Sequence, residues 1–211
     1  MKTILIGSGA ISDYDVIMGY LDDDAFVIAC DGGLKHCREM GITPNLIVGD
    51  FDSAESEDKI FYENKGVEIF KYPKKKDMTD MEIGLDIAIE KEPESIFILG
   101  GLGSRFDHSL ANVHIILKAI KEGISACVLD NNNIITLVID SIDIEGEVGQ
   151  NVSLIPLTTE VNGVVTENLE YELNDATLKI GSSIGVSNVM TRDFAKISVK
   201  EGILIVIMSR D

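Results

Sequence analysis

The segment Val48-Gly49-Asp50-Phe51-Asp52-Ser53 places two carboxylates two residues apart, directly after an apolar run. In an extended chain alternate side chains point the same way, so Asp50 and Asp52 are able to converge on one point. Two facing carboxylates repel unless a cation or a shared proton relieves them. Oxygen donors of this kind suit a hard divalent cation such as Mg²⁺. The competing reading is an acidic loop in which Asp52 or Ser53 caps a helix. Three further loops favour the metal reading, because each repeats the chemistry: Cys30-Asp31-Gly32-Gly33, Lys76-Asp77-Met78-Thr79-Asp80, and Gly101-Leu102-Gly103-Ser104-Arg105-Phe106-Asp107-His108.

Each loop offers a second reading. Gly32 and Gly33 allow close backbone approach, or Asp31 caps the next helix. Lys76 ends Lys74-Lys75-Lys76, the main cationic run of the chain, which is either a solvated loop or a partner for phosphate. Arg105 has the planar fork that holds two phosphate oxygens, with Asp107 orienting it or capping a helix. His108 serves as a local hydrogen-bonding residue at a helix start, as a phosphate ligand, or as an acid. Gly7-Ser8-Gly9 lacks the lysine of a P-loop and the full dinucleotide fingerprint. It reads as a strand-to-helix turn that could flank a nucleotide. His36 and His114 fall in expected helices and read as structural or surface residues.

These loops are positioned by alternating elements. Short apolar runs at 3–6, 26–29, 46–48, 67–70, 95–99 and 126–129 read as buried strands. Helical patterns separate them: one running to Met40 and closed by Gly41, one started by the capping-box residues Thr79 and Glu82, and one over 109–121. Strands alternating with helices predict an α/β domain with a parallel sheet. Ligands of such sheets bind beyond the carboxyl ends of the strands, and every loop named above follows a strand. From Asp130 the pattern changes to strand-like runs at 134–139, 152–157, 161–166, 170–173, 195–199 and 203–208 with turn residues between them. The expectation is an N-terminal α/β domain over 1–130 and a C-terminal all-β sandwich over 131–211.

Charge narrows the partners. The 211 residues include 36 acidic and 18 basic side chains, a net charge of −18. That argues against nucleic acid, which requires a basic footprint. No apolar run reaches membrane-spanning length, and the first residues read as a strand rather than a signal peptide. Cys30, Cys37 and Cys127 are scattered without metal-ligand spacing, which fits a reducing cytoplasm. No Lys or Arg occurs from Gly123 to Leu178, so the second domain suits a cationic ligand or a partner surface better than a phosphate.

The four loops, in this order and spacing, resemble the thiamine pyrophosphokinase family, and Ser153-Leu154-Ile155-Pro156 and Ser187-Asn188 resemble motifs of its second domain. The resemblance implies an α/β nucleotide-binding domain, a C-terminal β-sandwich, and a homodimer that transfers pyrophosphate from ATP to thiamine and releases AMP. It further implies that Asp50, Asp52 and Asp80, with Asp31 or Asp77, hold Mg²⁺ on the triphosphate. Lys76 and Arg105 would take phosphate oxygens, and Asp77 or Asp80 would accept the hydroxyl proton. Gly32, Gly33, Asp107 and His108 fall in the matching ATP-binding stretches, and Ser187 and Asn188 in the stretch that contacts thiamine across the dimer. The chain has no Trp, and Tyr171 stands where many relatives carry one; Ser104 stands where they often carry glycine. Two other readings remain: a Mg²⁺-dependent phosphohydrolase built on Asp50-Phe51-Asp52, and a nucleotide- or thiamine-binding module without turnover.

Overall fold

A computed structural model describes residues 1–22, 24–49, 57–71 and 77–210. They form two compact units, Met1–Asn131 and Asn132–Asp211. Among the described residues no helix is long and apolar enough to cross a membrane.

The first unit runs β1 (Lys2–Ile6), α1 (Tyr14–Met18), β2 (Phe26–Cys30), α2 (Gly33–Glu39), β3 (Leu46–Gly49), α3 (Glu57–Asn64), β4 (Glu68–Lys71), α4 (Asp80–Ile89), β5 (Ser95–Leu99), α5 (Phe106–Ile115), α6 (Leu117–Lys121) and β6 (Ser125–Leu129). Its strands lie in the order β6-β5-β1-β2-β3-β4 and every neighbouring pair is parallel. The central strands are buried almost throughout: Ile4, Leu5, Ile6, Ile28, Ile47 and Leu99 have no exposed surface. That is why they read as unbroken apolar runs instead of alternating ones. β4, next to β3 alone in this unit, carries the exposed residues Glu68 and Lys71, charges that discourage further strand pairing.

In the second unit β7 (Asn133–Val138), β9 (Asn151–Pro156), β12 (Asn188–Val189) and β14 (Leu204–Ser209) pair antiparallel in the order β12-β9-β14-β7. A second antiparallel sheet has the order β11-β10-β13-β8, from β8 (Ser141–Glu145), β10 (Glu160–Glu167), β11 (Ala176–Lys179) and β13 (Phe194–Ser198). Alternate residues such as Leu204, Val206 and Met208 join Val161, Val164, Ala195 and Ile197 in one core, giving the expected sandwich-like packing.

Two expected elements differ. Residues 170–173 alternate polar and apolar but form no strand. Asn188 binds Tyr171 at both its N–H and its C=O, and Leu173 donates its N–H to Thr166 Oγ1, so side chains take up part of the backbone bonding beside two backbone bonds, Thr166 N–H to Leu173 O and Glu170 N–H to Val189 O. The helix expected over 109–121 begins at Phe106 and is two helices, α5 and α6, joined at Ile116.

Candidate active site

The chain leaves β1 towards β2 on one side and returns to β5 on the other. This is the switch point at which loops of an open parallel sheet diverge and leave a crevice. A cleft of about 660 Å³ opens there, lined by the loops that follow β1, β2 and β5 and by the beginnings of α4 and α5. Its size suits a small-molecule ligand.

The loops after β1 and β5 are fastened together. Gly7 N–H donates to Leu99 O at 2.8 Å, Gly9 N–H to Gly100 O at 2.7 Å and Ala10 N–H to Leu102 O at 3.0 Å. A side chain at Gly9 would collide with the carbonyls of Leu102 and Gly100, so glycine is what lets these backbones touch. Three of the four amides from Gly7 to Ala10 are thereby committed to protein. The turn reading of Gly7-Ser8-Gly9 accounts for them better than a phosphate cradle does.

The same closeness places Asp31. A Cβ on Gly33 would run into the Ile6 carbonyl, so glycine brings the start of α2 against β1. The capping position of α2 is Gly32, which has no side chain to cap with. Asp31 itself sits at φ 47, a conformation uncommon for a non-glycine residue, with its N–H on Val48 O at 2.8 Å, and it lines the cleft. Strain of this kind is a mark of functional loops.

Asp80 is the first residue of α4 and also lines the cleft. Thr79 starts that helix as expected, its Oγ1 accepting from Glu82 N–H at 3.2 Å. The reciprocal half of the capping box is replaced: Glu82 and Asp86 both pair with Lys118, each at 2.8 Å. Asp77 is exposed, lies before the cap and does not line the cleft.

Arg105 and His108, at the start of α5, line the same cleft. Asp107 orients Arg105 in a two-pronged pair, Nη2 to Oδ2 at 2.6 Å and Nε to Oδ1 at 3.3 Å. The Arg105 hydrogen bond holds the Asp107 carboxyl below the usual carboxylate range. Both side chains are about two-thirds exposed, so solvent weakens the pair and Arg105 exchanges partners at little cost. His108 Nε2 stands 4.0 Å from Asp107 Oδ2.

Asp31, Asp80, Arg105 and His108 therefore meet around one cleft, with Gly32, Gly33 and Asp107 behind them. Asp50, Asp52, Ser53, Lys74, Lys75 and Lys76 lie outside the described residues. Among the described residues no three His, Cys, Asp or Glu side chains form a metal cage.

Two residues of this site carry more than the sequence reading assigned them. His36 is buried, with Nε2 2.8 Å from Gly9 O and Nδ1 2.8 Å from the Tyr14 hydroxyl, so it ties α2 to the loop after β1. Asn112 lies under the cleft and donates to Gly101 O at 2.7 Å. Its position four residues after His108 on one helix face was the available signal.

The remaining candidates belong to the second unit. Asn188 is 3% exposed, and its amide is occupied by Tyr171: Nδ2 donates to Tyr171 O at 2.7 Å, and Oδ1 accepts from Tyr171 N–H at 2.9 Å. Tyr171 is left 64% exposed on a turn held from beneath. Ser187 sits at φ 59, its N–H on Ser153 Oγ at 3.1 Å.

Comparison with known proteins decides the family. Residues 17–128 match the model of the thiamin pyrophosphokinase catalytic domain, and residues 140–204 that of the thiamin pyrophosphokinase vitamin B1 binding domain. The thiamine pyrophosphokinase of Bacillus subtilis is 31% identical over 100% of both chains. The chain belongs to the thiamine pyrophosphokinase family. The fold agrees: the crystal structure of the Bacillus subtilis thiamine pyrophosphokinase superposes with a TM-score of 0.90 at 29% identity over 100% of both chains. That of the Geobacillus thermodenitrificans enzyme gives 0.88 at 28%, over 100% of this chain and 98% of that one. Membership in the thiamine pyrophosphokinase family favours neither the phosphohydrolase reading nor a module without turnover. The Asp-x-Asp segment here follows the third strand, β3, whereas the phosphatase motif it superficially resembles follows a first strand.

Proposed function

We propose that this protein transfers the pyrophosphoryl group of ATP to the hydroxyl of thiamine, giving thiamine diphosphate and AMP. The observation that carries the reading is one cleft at the sheet's switch point whose lining brings together Asp31, Asp80 and Arg105. In the reaction the thiamine oxygen bonds to the β-phosphorus, the bridge between the α- and β-phosphates breaks, and the hydroxyl proton passes to a base. Arg105 would turn from Asp107 to two phosphate oxygens, holding the migrating group in line.

A divalent cation fits this site on donor chemistry. Asp31 and Asp80 present only oxygen to the cleft, and Asp50 and Asp52 would complete the set. Mg²⁺ bound there would neutralise charge on the triphosphate. Asp77 and Asp80 are the candidate bases; Asp80 lines the cleft, which favours it. Gly32 and Gly33 let the Asp31 loop approach the nucleotide, and Lys76, Asp107 and His108 would complete the ATP side.

In this reading the first unit is the catalytic, ATP-binding domain and the second takes thiamine and pairs two chains. Ile180, Ile184 and Val186, which precede Ser187 in the chain, are exposed, and so is Tyr171, whose aromatic ring suits the thiazolium cation. Three free cysteines fit a cytoplasmic enzyme.

The deciding experiment incubates the protein with ATP, Mg²⁺ and thiamine and separates the products. Thiamine diphosphate and AMP in equal amounts are expected. Thiamine monophosphate with ADP, or phosphate released from ATP without any acceptor, refutes the reading. Mixing a chain damaged at Asp80 with one damaged at Tyr171 should restore activity if two chains share a site; failure despite subunit exchange removes the shared site.

A further inference from the structure

Beneath the rim, the cleft contains a hydrogen-bond acceptor that no described residue uses. Asn112 on α5 is 9% exposed and lines the cleft. Its Nδ2 donates to Gly101 O at 2.7 Å. Only the nitrogen end of an amide can donate to a carbonyl, so this bond fixes which way Asn112 faces. Oδ1 has no hydrogen-bond partner among the described residues, yet it is not sealed away from solvent. An acceptor that is nearly buried, open to a cleft and unmatched is a site prepared for a donor.

The donor's chemistry follows from charge and place. An amide oxygen repels phosphate oxygens. Asn112 also lies seven residues beyond Arg105, about 10 Å along the helix axis from the residue that faces phosphate. What reaches it is a neutral N–H or O–H group. We propose that Asn112 Oδ1 accepts a hydrogen bond from the nucleoside half of the triphosphate, from the 6-amino group of the purine or from a ribose hydroxyl, and thereby sets nucleotide preference. This rests on the reading that a nucleoside triphosphate occupies the cleft. If the 6-amino group is the donor, a 6-oxo purine turns acceptor against acceptor and is rejected.

The test is calorimetric binding to the full chain with Mg²⁺ and without thiamine. It compares ATP with purine riboside triphosphate and inosine triphosphate, which lack the 6-amino group, and with 2′-deoxy-ATP and 3′-deoxy-ATP. In the parent, removing the responsible donor should weaken binding about tenfold, the size of one neutral hydrogen bond. The two sets of analogues separate base from ribose. In Asn112→Ala the same analogue should differ from ATP by less than about twofold. If Asn112 only holds Gly101, the variant weakens every nucleotide by one common factor, and the proposal is overturned. Equal binding of all analogues by the parent, or no nucleotide binding at all, overturns it without recourse to a variant. Turnover with ATP and thiamine is read separately: products without the Asn112 coupling sink the subsite alone, and the coupling without products sinks the reaction alone.

Discussion

Replacing His36 tests how the cleft is held open, and the size of the effect follows from two bonds. His36 is 7% exposed, with one ring nitrogen facing a carbonyl and the other a hydroxyl, each at 2.8 Å. The Gly9 carbonyl only accepts, so Nε2 carries the proton and Nδ1 accepts from Tyr14. Burial, the largest cause, holds the His36 pKa below its ordinary value of 6.5, against the opposing pull of the Gly9 carbonyl. His36→Phe removes two hydrogen bonds worth about 1 kcal/mol each and leaves Gly9 O without this partner. A loss of about 2–3 kcal/mol follows, roughly 5–10 °C in melting temperature. The loss depends on pH with a definite sign. Below about pH 6.5 the unfolded chain takes up a proton that the folded chain resists. His36 therefore contributes fully above that value, and its contribution is lost as the pH falls towards the depressed folded pKa, at no more than about 1.4 kcal/mol per pH unit. Thermal melts of parent and variant near pH 7.5 and near pH 5.5 should show a gap that narrows in acid. Taking the difference removes the effects of acidification on the other titrating groups, which both proteins share. A gap that stays constant or widens in acid refutes the neutral, doubly bonded His36.

Three further outcomes follow from the same contacts. Arg105→Lys keeps the charge but loses the fork, so its damage should fall on ATP-dependent parameters, by tenfold or more on the order expected for a lost bidentate contact; wild-type behaviour at limiting ATP would remove Arg105 from phosphate binding. Thr3→Val removes the fully buried hydroxyl Oγ1, which has no hydrogen-bond partner among the described residues, and should stabilise the protein by about 1 kcal/mol in denaturant melts. At the second unit, Asn188→Ala should cost about 2–4 kcal/mol, because it strips buried hydrogen bonds from the Tyr171 turn, while Ser187→Gly should be neutral or stabilising by up to about 1 kcal/mol through relief of its left-handed backbone. Equal melting temperatures for the two variants would contradict the anchoring role of Asn188.

The sequence showed the α/β unit more clearly than the sandwich, for a physical reason. Strands of a doubly covered parallel sheet are apolar along their whole length, so 46–48 and 95–99 stand out, and the chemistry must lie where each run stops. The sandwich strands present one face to water, and alternation alone does not separate a strand from an extended turn. Residues 170–173 alternate well and are not a strand. Ser141–Glu145 and Ala176–Lys179 are strands that the sequence reading passed over, each with a single buried residue, Ile144 and Leu178. Asn188 shows a second limit. Its place in a motif suggested ligand contact, but only packing reveals an amide turned inward onto a backbone.

The glycine loops bear most directly on how the site handles charge. Nucleotide sites at a sheet edge commonly cradle phosphate with free backbone amides. Here the amides of Gly7, Gly9 and Ala10 bind the end of β5 and the loop after it instead, which withholds those donors from a ligand. On the proposed reading the electrostatic work would therefore fall on side chains and on a cation. Arg105 stands exposed beside a carboxylate it can leave cheaply, and Asp31 and Asp80 add negative charge to a wall that a triphosphate must approach. In a protein of net charge −18 that arrangement would repel bare ATP, and on the proposed reading it would favour the divalent-cation complex instead. Nucleotide affinity should accordingly depend on the cation more steeply than in a site built on backbone amides, and ATP binding that is unchanged by chelation would contradict this division of labour.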